Sequence, residues 1–148
     1  MTTSRRTAQL HGTLRIDIPD TWHEDSVTIF SNGATGEEAA SVVVKRGYID
    51  PRTTLSMYID TQLVELAKSL PSFTLTARRD ATVANEHAMQ MTYTWVVQGS
   101  SYSQTQTILR DAPNSVVSII TSSASRAAAA WNKEFEAILD SLVVLNRQ

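Results

Sequence analysis

The sequence predicts an α+β domain in which a twisted antiparallel sheet carries two main helices on one face. Three observations carry that prediction. Residues 88–122 alternate apolar with polar side chains, period two, and break at Gln98-Gly99-Ser100 and Pro113-Asn114, where turn formers cluster. Two other stretches, Asp50 to Leu70 and the one beyond Ser125, repeat apolar residues at helical spacing. The order is strands, helix, strands, helix rather than strict strand–helix alternation, which points to an antiparallel sheet. At 148 residues the chain fits one domain, 1–148, with a single core, and residues 1–8 read as a flexible tail.

The elements follow in order. Leu10 to Ile18 alternates Leu14, Ile16 and Ile18 with Arg15 and Asp17, a strand with one wet face that stops at Pro19. Ser26–Ser31 and Glu38–Tyr48 read as strands joined through Asn32-Gly33 and Gly36. A helix then begins at Asp50-Pro51, capped by Asp50 or Thr53. Its apolar face is Leu55, Tyr58, Ile59, Leu63, Leu66 and Leu70, and Pro71 ends it. Phe73–Arg78 and the surroundings of Val83 read as edge segments. Residues 88–98 and 102–110 form a hairpin, and 115–122 is its neighbour. Ser125 reads as the cap of the last helix, whose buried stripe is Trp131, Phe135, Ile138, Leu139 and Leu142.

Charge is distributed unevenly. From Ala88 to Ser125 only Arg110 and Asp111 are charged, where the chain's own 19% would place about seven in such a stretch. A strand face in water normally carries Lys or Glu; here the polar residues are Gln, Thr and Ser. The formal net charge of -2 and the absence of any long basic run argue against a nucleic-acid binder. With no cysteine there is no disulfide, thiolate metal site or thiol nucleophile. His11, His23 and His87 share no ligand spacing, Glu37 and Glu38 are neighbours on a turn, and no serine sits in a nucleophile elbow. Neither metal, cofactor nor catalytic residue is expected. No apolar run spans a membrane, and the N-terminal stretch lacks a signal-peptide core, so a cytoplasmic protein that does not insert into membranes is expected.

Several phrases, in order, resemble the DcrB-related family. They are Ile18-Pro19-Asp20-Thr21-Trp22, then Asp25-Ser26-Val27-Thr28-Ile29-Phe30 and Val43-Val44-Lys45-Arg46. Leu66-Ala67-Lys68-Ser69-Leu70-Pro71-Ser72-Phe73 follows, then Trp95-Val96-Val97-Gln98-Gly99 and Gln104-Thr105-Gln106. The resemblance covers nearly the whole chain, from about residue 13 to 144. The resemblance implies a PsbP-like fold and, for members without a lipidated cysteine, similarity to the Eag chaperones of bacterial type VI secretion. As a class these are cytoplasmic homodimers, without enzymatic activity, that hold the hydrophobic N-terminal transmembrane segments of a secreted effector before export.

On that reading the uncharged sheet face is the partner-binding face. In residues 88–98, Met89, Met91, Tyr93, Trp95 and Val97 go to the core, leaving Gln90, Thr92, Thr94 and Val96 on the other face. A three-residue turn at Gly99 would set Gln104, Gln106 and Ile108 beside Thr92 and Thr94, and a four-residue turn at 111–114 would add Val117 and Ile119. A two-residue turn would send Gln104 and Gln106 to the opposite face. Val27 and Ile29 supply further apolar surface. Gln62, four residues from both Tyr58 and Leu66, is either a satisfied core glutamine or a contact for the guest. The candidate partner-binding residues are thus Val27, Ile29, Gln62, Thr92, Thr94, Gln104, Gln106, Ile108 and Ile119. The alternatives are a binding module for a soluble protein or small apolar ligand and, with least behind it, a hydrolase.

Overall fold

The computed structural model describes residues 4–10, 12–22 and 25–145. Its strands are β1 (Arg5–Leu10), β2 (Leu14–Pro19), β3 (Val27–Ser31), β4 (Ala40–Tyr48), β5 (Thr74–Val83), β6 (Glu86–Val97), β7 (Ser100–Ala112) and β8 (Ser115–Ala124). Its helices are α1 (Leu55–Ser69) and α2 (Ala128–Asp140). Six strands form one antiparallel sheet in the order β3-β4-β8-β7-β6-β5, while β1 and β2 pair with each other as a separate hairpin arm. The α+β class and the antiparallel sheet are as the sequence implies.

The helices do not share a face. Leu55 and Ile59 of α1 pack on Met89, Met91, Tyr93, Ile108 and Val116, with Tyr58, Leu63, Leu66 and Leu70 around them. The α2 stripe of Phe135, Ile138 and Leu139 packs on Val42, Ala88, Leu109 and Ile119, on the other side of the sheet. Two amphipathic helices on one face would leave the second row of apolar strand residues bare; placing them on opposite faces buries both rows. This corrects the single-face expectation.

The β6–β7 turn decides which residues share a face. Val97 pairs with Ser100, so the turn is the two residues Gln98 and Gly99, both with positive φ (50° and 79°). That is a tight hairpin turn whose twist suits the strands; Gly99 adopts it freely and Gln98 tolerates it. The register that follows sets Met91 opposite Gln106 and Tyr93 opposite Gln104.

Local differences have local causes. The single strand expected from Leu10 to Ile18 is split by a turn at Gly12 (φ +70°), and the tail expected over residues 1–8 is strand β1 from Arg5 onward. Helix α1 is capped by Thr54, whose hydroxyl accepts from the Met57 N–H at 3.2 Å. Asp50 instead accepts from the backbone and side chain of Arg52. Ser125 does not cap α2; its hydroxyl meets that of Ser101 at 2.6 Å, and a 3-10 turn at Ser125–Ala127 leads into the helix. The two edge segments around Phe73–Val83 are one strand, β5, with a bulge between Leu75 and Ala77. Asn32 closes the β3–β4 loop: its Oδ1 accepts from the Ala34 and Ala40 N–H groups, and its Nδ2 donates to the Glu38 carbonyl.

Candidate functional site

Helix α1 covers only part of its face of the sheet. It lies over β6 and β7, and its Tyr58 hydroxyl reaches toward Gly47 of β4, where an added Cβ would stand 3.1 Å away. Gln62 and Leu66 follow Tyr58 at helical spacing on that flank and are half-buried. Beyond the flank the strands β7, β8, β4 and β3 continue with no helix above them. Their residues on this side run from Gln104 and Gln106, through Ser118, Ile120 and Ser122, to Ser41, Val43 and the charged Lys45, and finally Val27 and Ile29. Burial falls along that path: Gln106 is 3% exposed and Ile120 8%, whereas Val27 is 56% and Ile29 66% exposed.

At the deep end lies a three-membered hydrogen-bond chain. The Gln106 Nε2 donates to the Tyr93 hydroxyl at 3.1 Å, and that hydroxyl donates to Gln104 Oε1 at 2.7 Å. Burial holds the Tyr93 hydroxyl above the usual phenol range, the bond from Gln106 opposing it. The chain runs in one direction and leaves a remainder: Gln106 Oε1 is buried and has no hydrogen-bond partner. A carbonyl in that condition costs roughly 1–3 kcal/mol. Beside it, Phe73, Tyr93, Trp95 and Tyr102 form a run of ring contacts at 5.3, 6.3 and 5.5 Å that fixes Tyr93 in place. The strip thus offers an unused acceptor at one side and open aliphatic surface at the other.

The sequence-derived residues divide between the two faces. Val27, Ile29, Gln104 and Gln106 share the strip, with Gln62 on its helical wall. Ile108 lies on the same face but is wholly buried beneath α1, so it is core rather than lining. Thr92, Thr94 and Ile119 are on the α2 face: Thr92 pairs with Thr105 rather than flanking Gln104, and Ile119 packs into the second core cluster. The two-residue turn moved Gln104, Gln106 and Ile108 away from them onto the face of Met91 and Tyr93, since one residue of register exchanges the faces. Sequence reasoning missed Tyr93, the hub between the glutamines, and Ile120, which takes the place assigned to Ile119. Neither carries a signal until the register is known.

The two charges of the charge-poor stretch lie at the far end of the sheet. An Arg110 guanidinium nitrogen donates to the carbonyls of Asp50 and Thr53 at 3.2 and 2.6 Å, tying down the segment that leads into α1. Asp111 pairs with Arg46 at 2.9 Å. An open cavity of about 1350 Å³ at this end is lined by Arg46, Asp80, His87, Arg110 and Asp111 among others, well away from the glutamines. His87 and Asp80 meet there at 2.8 Å, both exposed. Among the described residues no three His, Cys, Asp or Glu side chains converge as metal ligands; His11 and His23 lie outside those residues. Likewise, no helix among them is long and apolar enough to cross a membrane.

Similarity to known proteins agrees with this architecture. The chain is 28% identical over 107 residues to a Pseudomonas aeruginosa PAO1 protein named Effector EagT6, covering 72% of this chain and 74% of that one. The crystal structure of PA94 from Pseudomonas aeruginosa, a protein of unknown function described as a putative regulator, superposes with a TM-score of 0.77. Identity there is 24%, over 94% of this chain and 96% of that one. The solution structure of cyanobacterial PsbP from Synechocystis superposes more loosely, at a TM-score of 0.49 and 11% identity over 95% and 92% of the two chains. The DcrB family model matches residues 13–141, and the chain belongs to the DcrB family.

Proposed function

We propose that this protein is a non-enzymatic, Eag-type chaperone that shields hydrophobic N-terminal helices of a type VI secretion effector in the bacterial cytoplasm. The observation that carries the reading is Gln106: a glutamine 3% exposed, its carbonyl oxygen unpartnered, at the head of a strip whose charge is confined to Lys45 beside Val27. Membrane helices are apolar with occasional Ser or Thr positions, whose hydroxyls are donors. Such a guest matches an apolar floor with one buried acceptor, and Gln104 and Gln62 add amide donors without the desolvation cost of a charge. The name of the Pseudomonas relative supports the Eag assignment. Burial of the guest's apolar surface supplies the driving force, at about 25 cal/mol per Å².

The test is capture of a 20-residue apolar helix carrying one central serine, fused to a soluble carrier and co-expressed with the protein. Gln104→Glu keeps the acceptor for Tyr93 but places a charge on the floor. Capture should weaken on the order of tenfold or more, the equivalent of about 1.4 kcal/mol, while the melting curve stays near wild type. Undiminished capture by this variant would remove the strip from consideration.

A second reading has one observation in its favour. On the α2 face, Phe30, Val42, Val44, Ile119, Ile138 and Leu142 are among the residues lining an apolar pocket of about 370 Å³, at the small end of the range for ligand sites. A small apolar ligand there would be displaced by Val44→Trp and untouched by Gln104→Glu, which separates the two readings.

A further inference from the structure

One charge stands on the open strip. Lys45 of β4 lies directly opposite Val27 of β3 on one side and Ser118 of β8 on the other. It is half-buried, and among the described residues its ammonium has neither an ion-pair nor a hydrogen-bond partner. Three arginines are treated otherwise: Arg46 meets Asp111 at 2.9 Å, Arg78 meets Asp60 at 2.6 Å and Arg126 meets Glu37 at 3.2 Å. The lysine's stem suits the apolar floor, but a wholly apolar guest laid over it would strip water from the ammonium and offer it no partner.

Two hydroxyls accompany it. The Ser118 side chain faces the lysine across the β4–β8 pair and is 3% exposed. The Tyr58 hydroxyl stands over Gly47, 3.1 Å from where a Cβ would be, and Gly47 is two residues from Lys45 on the same face of β4. The missing side chain at Gly47 is what lets the ring of α1 reach the sheet. Like the lysine, both hydroxyls lack a partner among the described residues. This end of the strip thus gathers three unmatched donors, whereas the Gln106 end holds an unmatched acceptor. We infer that Lys45, with Ser118 and Tyr58, receives a carboxylate side chain of the guest helix, and that this contact sets which way along the strip the helix points.

With the chaperone reading as its premise, this contact also gives the guest a register. From Gln106 the route to Lys45 crosses two strands, by way of Ile120 to Val43, and then runs two residues along β4. Strands about 4.8 Å apart and residues about 3.4 Å apart put the two backbones about 12 Å from each other. A helix rises about 1.5 Å per residue, so a residue seven positions on lies about 10.5 Å away and on the same face. The length of the lysine takes up the remainder. A serine that meets Gln106 is therefore matched with an acid two turns away. Of the two directions the C-terminal one is favoured, because the free carbonyls at that end of the guest bring partial negative charge to the same ammonium. In a 20-residue segment with its serine at position 10, the acid at position 17 falls in the last turn.

The test uses the full chain and guests of matched composition. Each is the serine-bearing apolar helix on its soluble carrier with one glutamate: at position 17, at position 15 on the far face, or at position 3, seven residues before the serine. Wild type should capture the position-17 guest about tenfold more tightly than either of the others. Lys45→Met should bring the three within about twofold of one another and melt no lower than wild type, since the lysine has no partner to lose. Lys45→Glu should prefer a guest with lysine at position 17 over one with glutamate there. A wild type that captures all three guests alike would overturn the subsite: the lysine then keeps its head in water beside the guest, and the chaperone reading stands. A preference for position 17 that survives Lys45→Met would overturn the role of the lysine, and a preference for position 3 would overturn the direction. Capture of none of them, nor of the parent helix without glutamate, would overturn the chaperone reading itself and the subsite with it.

Discussion

Replacing Gln106 by methionine should stabilise the free protein and weaken its binding. Methionine has nearly the length and shape of glutamine without its polar atoms, and the site is 3% exposed. Removing the unpartnered Oε1 recovers roughly 1–3 kcal/mol, while losing the hydrogen bond to Tyr93 costs about 0.5–1.5 kcal/mol. Tyr93 keeps its bond to Gln104 and so is not itself orphaned. The balance is a gain of about 1 kcal/mol, or about 3 °C in melting temperature for a chain of this size. Urea and thermal unfolding of Gln106→Met beside the wild type measure it, with helix capture as the second readout. Capture should fall at least fivefold, because the acceptor the guest would satisfy is gone. A destabilisation of more than about 1 kcal/mol would mean that the carbonyl is already satisfied in the free protein. In that event the glutamine is structural and the argument for a poised acceptor fails.

Other expectations follow from single contacts. Thr54→Ala removes the α1 cap and should cost about 1 kcal/mol, seen as a melting temperature lower by about 3 °C with capture unchanged. Arg110→Met releases the carbonyls of Asp50 and Thr53 and should cost about 2 kcal/mol or more, measured by denaturant midpoint at constant slope. Burial raises the phenol pKa of both Tyr93 and Tyr58 in the folded state. The unfolded chain therefore releases these protons first, so their contribution is intact below about pH 10 and is lost as pH rises beyond it. Unfolding titrations from pH 8 to 11.5 should show that decline, and Tyr93→Phe should make it shallower.

Most of the fold was legible because period two and period 3.6 are written directly into the side chains. Leu55, Ile59 and Leu63 identify α1 as surely as Met89, Met91 and Tyr93 identify β6. What periodicity cannot report is the side of the sheet on which a helix lies, since an amphipathic helix suits either face. The helix start was displaced because Asp50 finds Arg52 in its own turn, leaving the cap to Thr54. The largest error turned on one backbone angle. Gln98 sits at a φ of 50°, a conformation that a glutamine does not advertise, and it makes the turn two residues instead of three. Every assignment on β7 depended on that count, so Gln104, Gln106 and Ile108 changed faces together, while Ile119 on β8 stayed with Thr92 and Thr94 because the irregularity between Arg110 and Ala112 offsets the first turn.

The dearth of charge between Ala88 and Ser125 therefore has two causes that composition alone merges. On the α2 face the uncharged residues serve one another: Gln90 Nε2 donates to the Thr107 hydroxyl at 3.0 Å, Thr92 meets Thr105 at 3.0 Å, and Arg79 donates to Gln90 at 2.9 Å. Those polar atoms have found partners within the fold and ask for nothing further. On the α1 face the chain from Gln106 through Tyr93 to Gln104 ends with an acceptor unused. Two sets of glutamines and threonines, indistinguishable in the sequence, differ in whether their hydrogen bonds close. That difference, rather than the absence of charge, separates a packed interior from a surface with room for a guest.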